Sequence, residues 1–192
     1  ILNKESGSFP RISDLEAMIP AIVGKVELVY EGEQEGVVNV ARTLIGQAVK
    51  EIFTGYFPEV FVKKSTESRS HSAYEPVRQY FGSGGKIEID DAMTADEYFR
   101  ELDKVDNLRS TAVEYMKISD KSDRAEIGAA MEFLLEGLHQ HSVLSKEIFE
   151  GSRKYGDYID NVFSTLGGGF EALLSFDYIV AERQATFGLP EI

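Results

Sequence analysis

A glycine-rich segment at positions 82–86, with the sequence GSGGK, is the stretch of the chain most suggestive of phosphate binding. A phosphate-binding loop needs a glycine five residues before the glycine that precedes its lysine, and a serine or threonine after that lysine to bind magnesium. Tyr80 stands at the first of these positions and Ile87 at the second. The segment therefore favours a glycine turn before a strand over a nucleotide site.

Histidines and carboxylates are the other residues that could hold a metal ion. His139 and His141 are two residues apart, which places them about 200° apart around a helix, so they cannot share one ion. We expect both to be solvated, as is His71 in a serine-rich stretch. The acidic string Glu31, Glu33 and Glu35 alternates as in a charged loop and does not match the spacing of a calcium-binding loop. No metal site is predicted.

The stretch 165–192 reads TLGGGFEALLSFDYIVAERQATFGLPEI. LGGGFE, the predicted strand at 177–181, AERQATFG and the final LPEI resemble the crotonase superfamily of enoyl-CoA hydratases, and most nearly its diffusible-signal-factor synthases. The resemblance implies an acyl-CoA substrate, with Glu171 and Glu191 as the catalytic pair and Gly168 as a backbone donor of the oxyanion hole. The two glutamates are 191 − 171 = 20 residues apart, the spacing that the family pattern requires.

The chemistry that this resemblance implies is physically reasonable for these residue types. Glycines let a backbone approach a thioester closely, and amides at a helix N-terminus near Phe170 would stabilise a developing enolate. Two carboxylates on one substrate can act as general acid and general base. However, residues 1–163 contain no recognisable second oxyanion donor or adenine pocket. We therefore expect Glu171 and Glu191 not to form a working pair in this chain.

A second resemblance covers an earlier part of the chain. SDLEAMIPAIVGKVELVYEGEQEG at 13–36 and VARTLIGQAVKEIF at 40–53 resemble the region after the ATPase core in magnesium-chelatase I-type, MoxR-like AAA+ proteins, and the likeness extends more weakly to about residue 163. It implies an accessory, non-catalytic, lid-like helical region for nucleotide sensing, subunit contact or partner docking, within an AAA+ ring or a homo-oligomer. ATP and magnesium would bind to the parent protein upstream, with no cofactor in this chain. Arg42 is either a γ-phosphate sensor or a surface arginine, and the second interpretation is simpler.

Composition limits the remaining possibilities. The 192 residues carry a net charge of −13, which repels phosphate backbones and anionic lipid, so we expect neither nucleic-acid nor membrane partners. The absence of cysteine excludes disulfides and thiolate chemistry. With no recognisable signal peptide, we expect a cytoplasmic protein. A first residue other than Met and an abrupt end suggest a fragment of a longer protein.

Hydrophobic spacing predicts a mainly α fold, a bundle-like helical body with a few short strands and a crotonase-like strand and helix at the end. Ser13 with Glu16, and Thr94 with Glu97, match the helix-capping box, and Asp123 is also a predicted cap. Strands are expected only at 26–30, at 86–90 and after residue 177. Helices are predicted at 13–23 with a break at Pro20, at 38–56 with Gly55 and Pro58 ending it, at 76–81, 94–102, 108–116 and 123–138, from Ser145 to about Gly151, and over 153–163.

Four segments follow from these patterns and resemblances. Residues 1–61 form a lid-like helical region, 62–76 an exposed serine-rich linker, 77–163 a second helical region, and 164–192 the crotonase-like segment. Three functions stay open: the accessory region of an AAA+ ATPase, a partial crotonase-class hydratase or dehydratase, and an artificial junction of two unrelated fragments with no selected function. We expect that the isolated chain is not an active enzyme.

Overall fold

The computed structural model describes residues 10–25, 36–60, 73–119, 121–149 and 151–158. It is mainly helical, with one small antiparallel sheet, as the hydrophobic spacing predicts. A 3-10 helix at Ile12–Met18 is followed by α1 (Ile19–Val23), α2 (Val37–Tyr56), α3 (Glu75–Gly82), β1 (Ile87–Asp90), α4 (Ala95–Leu102), α5 (Leu108–Met116), α6 (Arg124–Gln140), β2 (Leu144–Phe149) and β3 (Ser152–Asp157).

Helix α6 is the centre of the fold. Nearly every residue from Ala125 to Leu138 is buried, because α2, α4, α5 and β2 all pack against it. Two glycines permit this close packing: a methyl group on Gly128 would lie 2.7 Å from the Tyr98 ring, and one on Gly137 would lie 1.9 Å from the Phe53 ring. The predicted cap is confirmed, since the Asp123 carboxylate accepts a hydrogen bond from the Ala125 N–H at 3.4 Å.

Helix α2 is the long amphipathic helix that the sequence predicts. It packs Val49 and Phe53 into the core against α6, where the Phe53 ring stacks on that of Phe57 at 4.7 Å. The helix ends at Tyr56, and Phe57 is already extended, as is usual before a proline. Gly55 lies inside the helix, so the prediction that this glycine ends it is wrong.

The sheet has the order β1-β3-β2 and corrects two helix predictions. Residues 145–149 and 153–157 belong to β2 and β3, which pair antiparallel with Leu144 opposite Asp157 and Phe149 opposite Ser152. The end of the second predicted helix, 159–163, lies outside the described residues. Arg153 and Tyr155 point inward at a spacing of two, a strand pattern that is too short to separate from a helical one by periodicity. Gly151, with φ +75°, supplies the turn. The strand predicted at 86–90 is confirmed as β1.

The capping residues predicted at the helix starts are confirmed in one helix and not in another. At Thr94 the capping box is confirmed, with the Thr94 N–H donating to Glu97 at 2.9 Å and the Glu97 N–H donating to the threonine hydroxyl at 3.3 Å. At the 3-10 helix the prediction of Ser13 as the cap is wrong: Arg11 is the cap residue, and its N–H donates to Asp14 at 2.8 Å. The predicted break is confirmed, because the 3-10 helix stops at Met18 and α1 restarts with a proline in its first turn.

The predicted linker at 62–76 lies mostly outside the described residues, but the prediction that its last residues are exposed is wrong. Tyr74 is buried, and its hydroxyl donates to the Pro58 carbonyl oxygen at 2.7 Å. Helix α3 begins at Glu75, confirming the short helix expected near 76–81. The strands predicted at 26–30 and after 177 lie outside the described residues.

Candidate functional site

The residues with the most specific sequence signal lie outside the described part of the chain. These residues are Glu171, Glu191 and Gly168. His71 and the acidic string of 31–35 also lie outside the described residues. The chemistry that the crotonase resemblance implies therefore rests on the sequence alone. Among the residues that the structure does describe, no group of three or more metal-ligating side chains is placed to hold an ion.

The glycine-rich segment is a turn, as predicted. Helix α3 ends at Gly82, Gly84 has φ +89°, and β1 begins at Ile87. A methyl group on Gly85 would lie 2.5 Å from the Tyr80 side chain, so this glycine is needed for packing against the preceding helix. The turn connects α3 to the sheet.

The two neighbouring histidines are not solvated as expected. His139 is half-buried, with Nδ1 3.0 Å from the Leu144 carbonyl oxygen. The His141 ring lies 5.4 Å from that of Phe53. Burial lowers the pKa of both imidazoles. Both histidines therefore help to pack the end of α6.

Arg42 is exposed on α2, where its Nε lies 3.3 Å from the Glu16 carboxylate. This ion pair joins α2 to the 3-10 helix at the surface. The arrangement agrees with the surface arginine that the sequence favours.

A buried ionic cluster on α6 is the strongest concentration of titratable groups in the described structure. Glu132 and Glu136 lie one helical turn apart on the side facing the sheet, and both are buried. Tyr98 of α4 contacts the first glutamate, and Tyr155 of β3 contacts the second. The cluster joins three elements of the fold across their common core.

Glu136 is fully paired. Its carboxylate accepts hydrogen bonds from Lys146 at 2.8 and 2.9 Å, from Tyr155 at 2.9 Å and from Gln140 at 2.9 Å. Burial alone would raise the pKa of this carboxyl, but the lysine charge and the donated hydrogen bonds outweigh burial and lower it. The charged form of Glu136 is therefore the native one at neutral pH.

Glu132 is hydrogen-bonded through one of its two oxygens alone. Its Oε2 lies 2.5 Å from the Tyr98 hydroxyl, while its Oε1 is buried without a hydrogen bond. The Arg153 Nε, also without a hydrogen bond, is 3.6 Å from that oxygen. The Arg153 guanidinium donates instead to Asp91 at 2.8 Å. Burial dominates and raises the pKa of the Glu132 carboxyl.

Both glutamates of the cluster are closed off from solvent. A groove of about 530 Å³ lies nearby, between α4 and the turn after β1, and its lining does not include Glu132 or Glu136. Groups closed off from solvent in this way can hold charges and protons and fix packing. They cannot reach an acyl or phosphoryl group without a large opening of the fold.

Sequence reasoning missed this cluster because it treated α6 as a simple apolar stripe. The usable signal was the pair of glutamates, four residues apart, inside the otherwise apolar run of 127–138. A carboxylate in such a run is buried only with a partner. Lys146 and Arg153 in the following segment were the candidates.

Comparison with protein-family models, curated proteins and solved structures finds no match for this chain. Within the described residues, no helix is both long enough and apolar enough to cross a bilayer.

Proposed function

We propose that the chain is an accessory, non-catalytic region of a magnesium-chelatase-like AAA+ ATPase, and that α2 provides a contact surface for a neighbouring subunit. Two observations support this proposal. One is the sequence resemblance over residues 13–36 and 40–53. The other, which carries the proposal, is an apolar row on α2 that stays exposed in the described part of the chain.

The exposed row is a second ridge on the same helix. The buried ridge follows steps of four from Ala41 to Phe53, and the next ridge begins three residues later. Its members are Leu44, Ala48, Ile52 and Tyr56. The larger side chains are 47% exposed at Leu44, 55% at Ile52 and 51% at Tyr56. Apolar groups aligned over three turns differ from the scattered exposed residues that are normal on a protein surface.

Subunit contact fits this ridge better than ligand binding does. A convex helix face offers a partner protein many van der Waals contacts but does not enclose a small molecule. The polar neighbours Gln47 and Glu51 lie on the next ridge along, which is the arrangement of an apolar seam with a polar rim. The overall charge of −13 makes a nucleic-acid partner for this face improbable on electrostatic grounds.

Sedimentation equilibrium tests the contact directly. We expect the chain to associate with itself as concentration rises, and Ile52→Lys to weaken this association at least tenfold because it places a charge in the seam. Phe149→Lys is the matched control, since Phe149 is 57% exposed on β2. A chain that stays monomeric, or equal effects of both substitutions, would contradict the proposal. Circular dichroism would show that both variants fold.

The crotonase resemblance supports a second candidate, an acyl-CoA hydratase or dehydratase. Its support is the motif that contains Glu171 and Glu191. Hydration of a short enoyl-CoA, assayed beside Glu171→Gln and Glu191→Gln, separates the two candidates. We expect no turnover, and activity that both substitutions abolish would favour the enzyme.

A further inference from the structure

The Tyr98 hydroxyl lies within hydrogen-bond reach of two acceptors. It is 2.5 Å from Glu132 Oε2 and 3.2 Å from the Gly128 carbonyl oxygen. A phenol has one proton to donate. If Glu132 is ionised, both neighbours compete for that proton.

A protonated Glu132 resolves the competition. Its own O–H then donates to the Tyr98 oxygen, and the Tyr98 O–H is free to donate to the Gly128 carbonyl. The unpaired Oε1 of Glu132 becomes the oxygen of a neutral acid, and leaving such an atom buried costs less than leaving an anionic oxygen buried.

We propose that Glu132 is a proton-binding site, that it is neutral in the folded protein near neutral pH, and that release of its proton as the pH rises draws Arg153 of β3 toward α6 and away from Asp91. The proposal stands apart from the subunit contact, because Glu132 lies in the core and the contact on the outer face of α2.

Charged and titratable groups from each neighbouring element face this carboxyl. The cations are too loosely placed to hold Glu132 ionised: the Arg153 Nε is 3.6 Å away, and Arg11 covers the Tyr98 ring at 4.4 Å. The negative Glu136 one turn along the same helix opposes a second charge. The facing groups are Arg11 before the 3-10 helix, Tyr98 of α4, Glu136 of α6 with its partner Lys146 of β2, Arg153 and Tyr155 of β3, and Asp91, which binds the Arg153 guanidinium.

Ionisation gives this cluster a second arrangement. A shift of about 0.7 Å would bring the Arg153 Nε from 3.6 Å to an ordinary bonding distance from Glu132 Oε1. Arg153 also donates to Asp91, which follows β1. A movement of Arg153 toward the new charge therefore pulls on the contact between β3 and the turn after β1.

Glu132→Gln imitates the neutral acid, because the amide can donate to the Tyr98 oxygen as the acid does. Above the ordinary glutamate pKa of about 4.3, the unfolded wild-type chain has lost the proton and the folded one has kept it. We therefore expect the ratio of wild-type to variant unfolding constants to rise about tenfold per pH unit until the folded site ionises. Urea titrations at a series of pH values measure this ratio.

Carbon-13 NMR of the wild-type side-chain carboxyls gives a readout that does not depend on the variant's stability. The resonance missing from Glu132→Gln should still report a protonated acid at pH 6, after the exposed glutamates have ionised. A flat ratio of unfolding constants, or a resonance that titrates at the ordinary value, would overturn the proposal.

Discussion

Lys146 on β2 places its ammonium nitrogen 2.8 and 2.9 Å from the two carboxylate oxygens of Glu136 on α6. Both side chains are largely closed off from water, with exposed fractions of 12% and 4%. The pair connects the central helix to the sheet. Removing one partner would leave the charge of the other buried without compensation, and this makes the pair important for stability.

Lys146→Met should therefore destabilise the fold strongly. The substitution keeps the length of the side chain but leaves the Glu136 charge buried without its cation, for which about 3–5 kcal/mol is typical. Arg124→Met is the matched control, since Arg124 pairs with Asp96 at the surface, and we expect a loss below about 1 kcal/mol. Urea unfolding measures both, and equal losses would show that the buried pair has no special role.

Glu136→Gln should change how stability depends on pH. Because the folded pKa of Glu136 is lowered, its stabilising effect is present above the unfolded value of about 4.3 and is lost as the pH falls through the folded pKa. The variant lacks this effect, so it should be less stable than wild type at neutral pH and approach it in acid. This trend is the reverse of the one expected for Glu132→Gln, and identical trends would contradict the assignment of different charge states.

Local sequence signals predicted most helices of the fold. Thr94 and Asp123 cap the helices that they were predicted to cap, and α2 has almost the predicted bounds of 38–56. The failures were at β2 and β3, where Ser145 and the tyrosines around Tyr155 suit either a strand or a helix. β3 pairs with β1, over 60 residues earlier in the chain, and β2 in turn pairs with β3. Short-range periodicity cannot contain the information in the long-range pairing.

The site was less predictable than the fold. Glu132 and Glu136 stand in an apolar run of the sequence, but their burial follows only from the packing of α2, α4, α5 and β2 around α6. The partners Lys146 and Arg153 reach them only because β2 and β3 fold back over the helix. A buried pair depends on tertiary packing, so composition and spacing could indicate an unusual carboxylate but not identify its partner.

Thr94→Ala should cost about 1 kcal/mol of stability, because it removes a confirmed helix cap. Ser13→Ala tests the cap that the sequence predicted and the structure does not contain. Since Arg11 is the actual cap residue, we expect that change to stay within about 0.5 kcal/mol. Thermal unfolding of the two variants measures both losses of stability. A larger loss for Ser13→Ala than for Thr94→Ala would support Ser13 as a helix cap.

Two glycines in helices should respond to alanine in opposite directions. A methyl group on Gly137 would lie 1.9 Å from a ring carbon of Phe53, and that ring is held by its stacking on Phe57. The helices α2 and α6 must then separate, and overpacking of this kind typically costs about 1–3 kcal/mol. A methyl group on Gly55 meets nothing within 4 Å, so Gly55→Ala should stabilise α2 by about 0.5–1 kcal/mol.

Chemical denaturation of both alanine variants measures the contrast, and a second substitution tests its cause. Phe53→Leu removes the ring that the new methyl group would strike. If the clash is the cause, adding Phe53→Leu to Gly137→Ala should cost less than Phe53→Leu does in the wild-type chain, because neighbouring substitutions that share a contact are not additive. Additive losses, or a Gly137→Ala variant as stable as wild type, would mean that α2 and α6 do not approach as closely as the Phe53 contact requires.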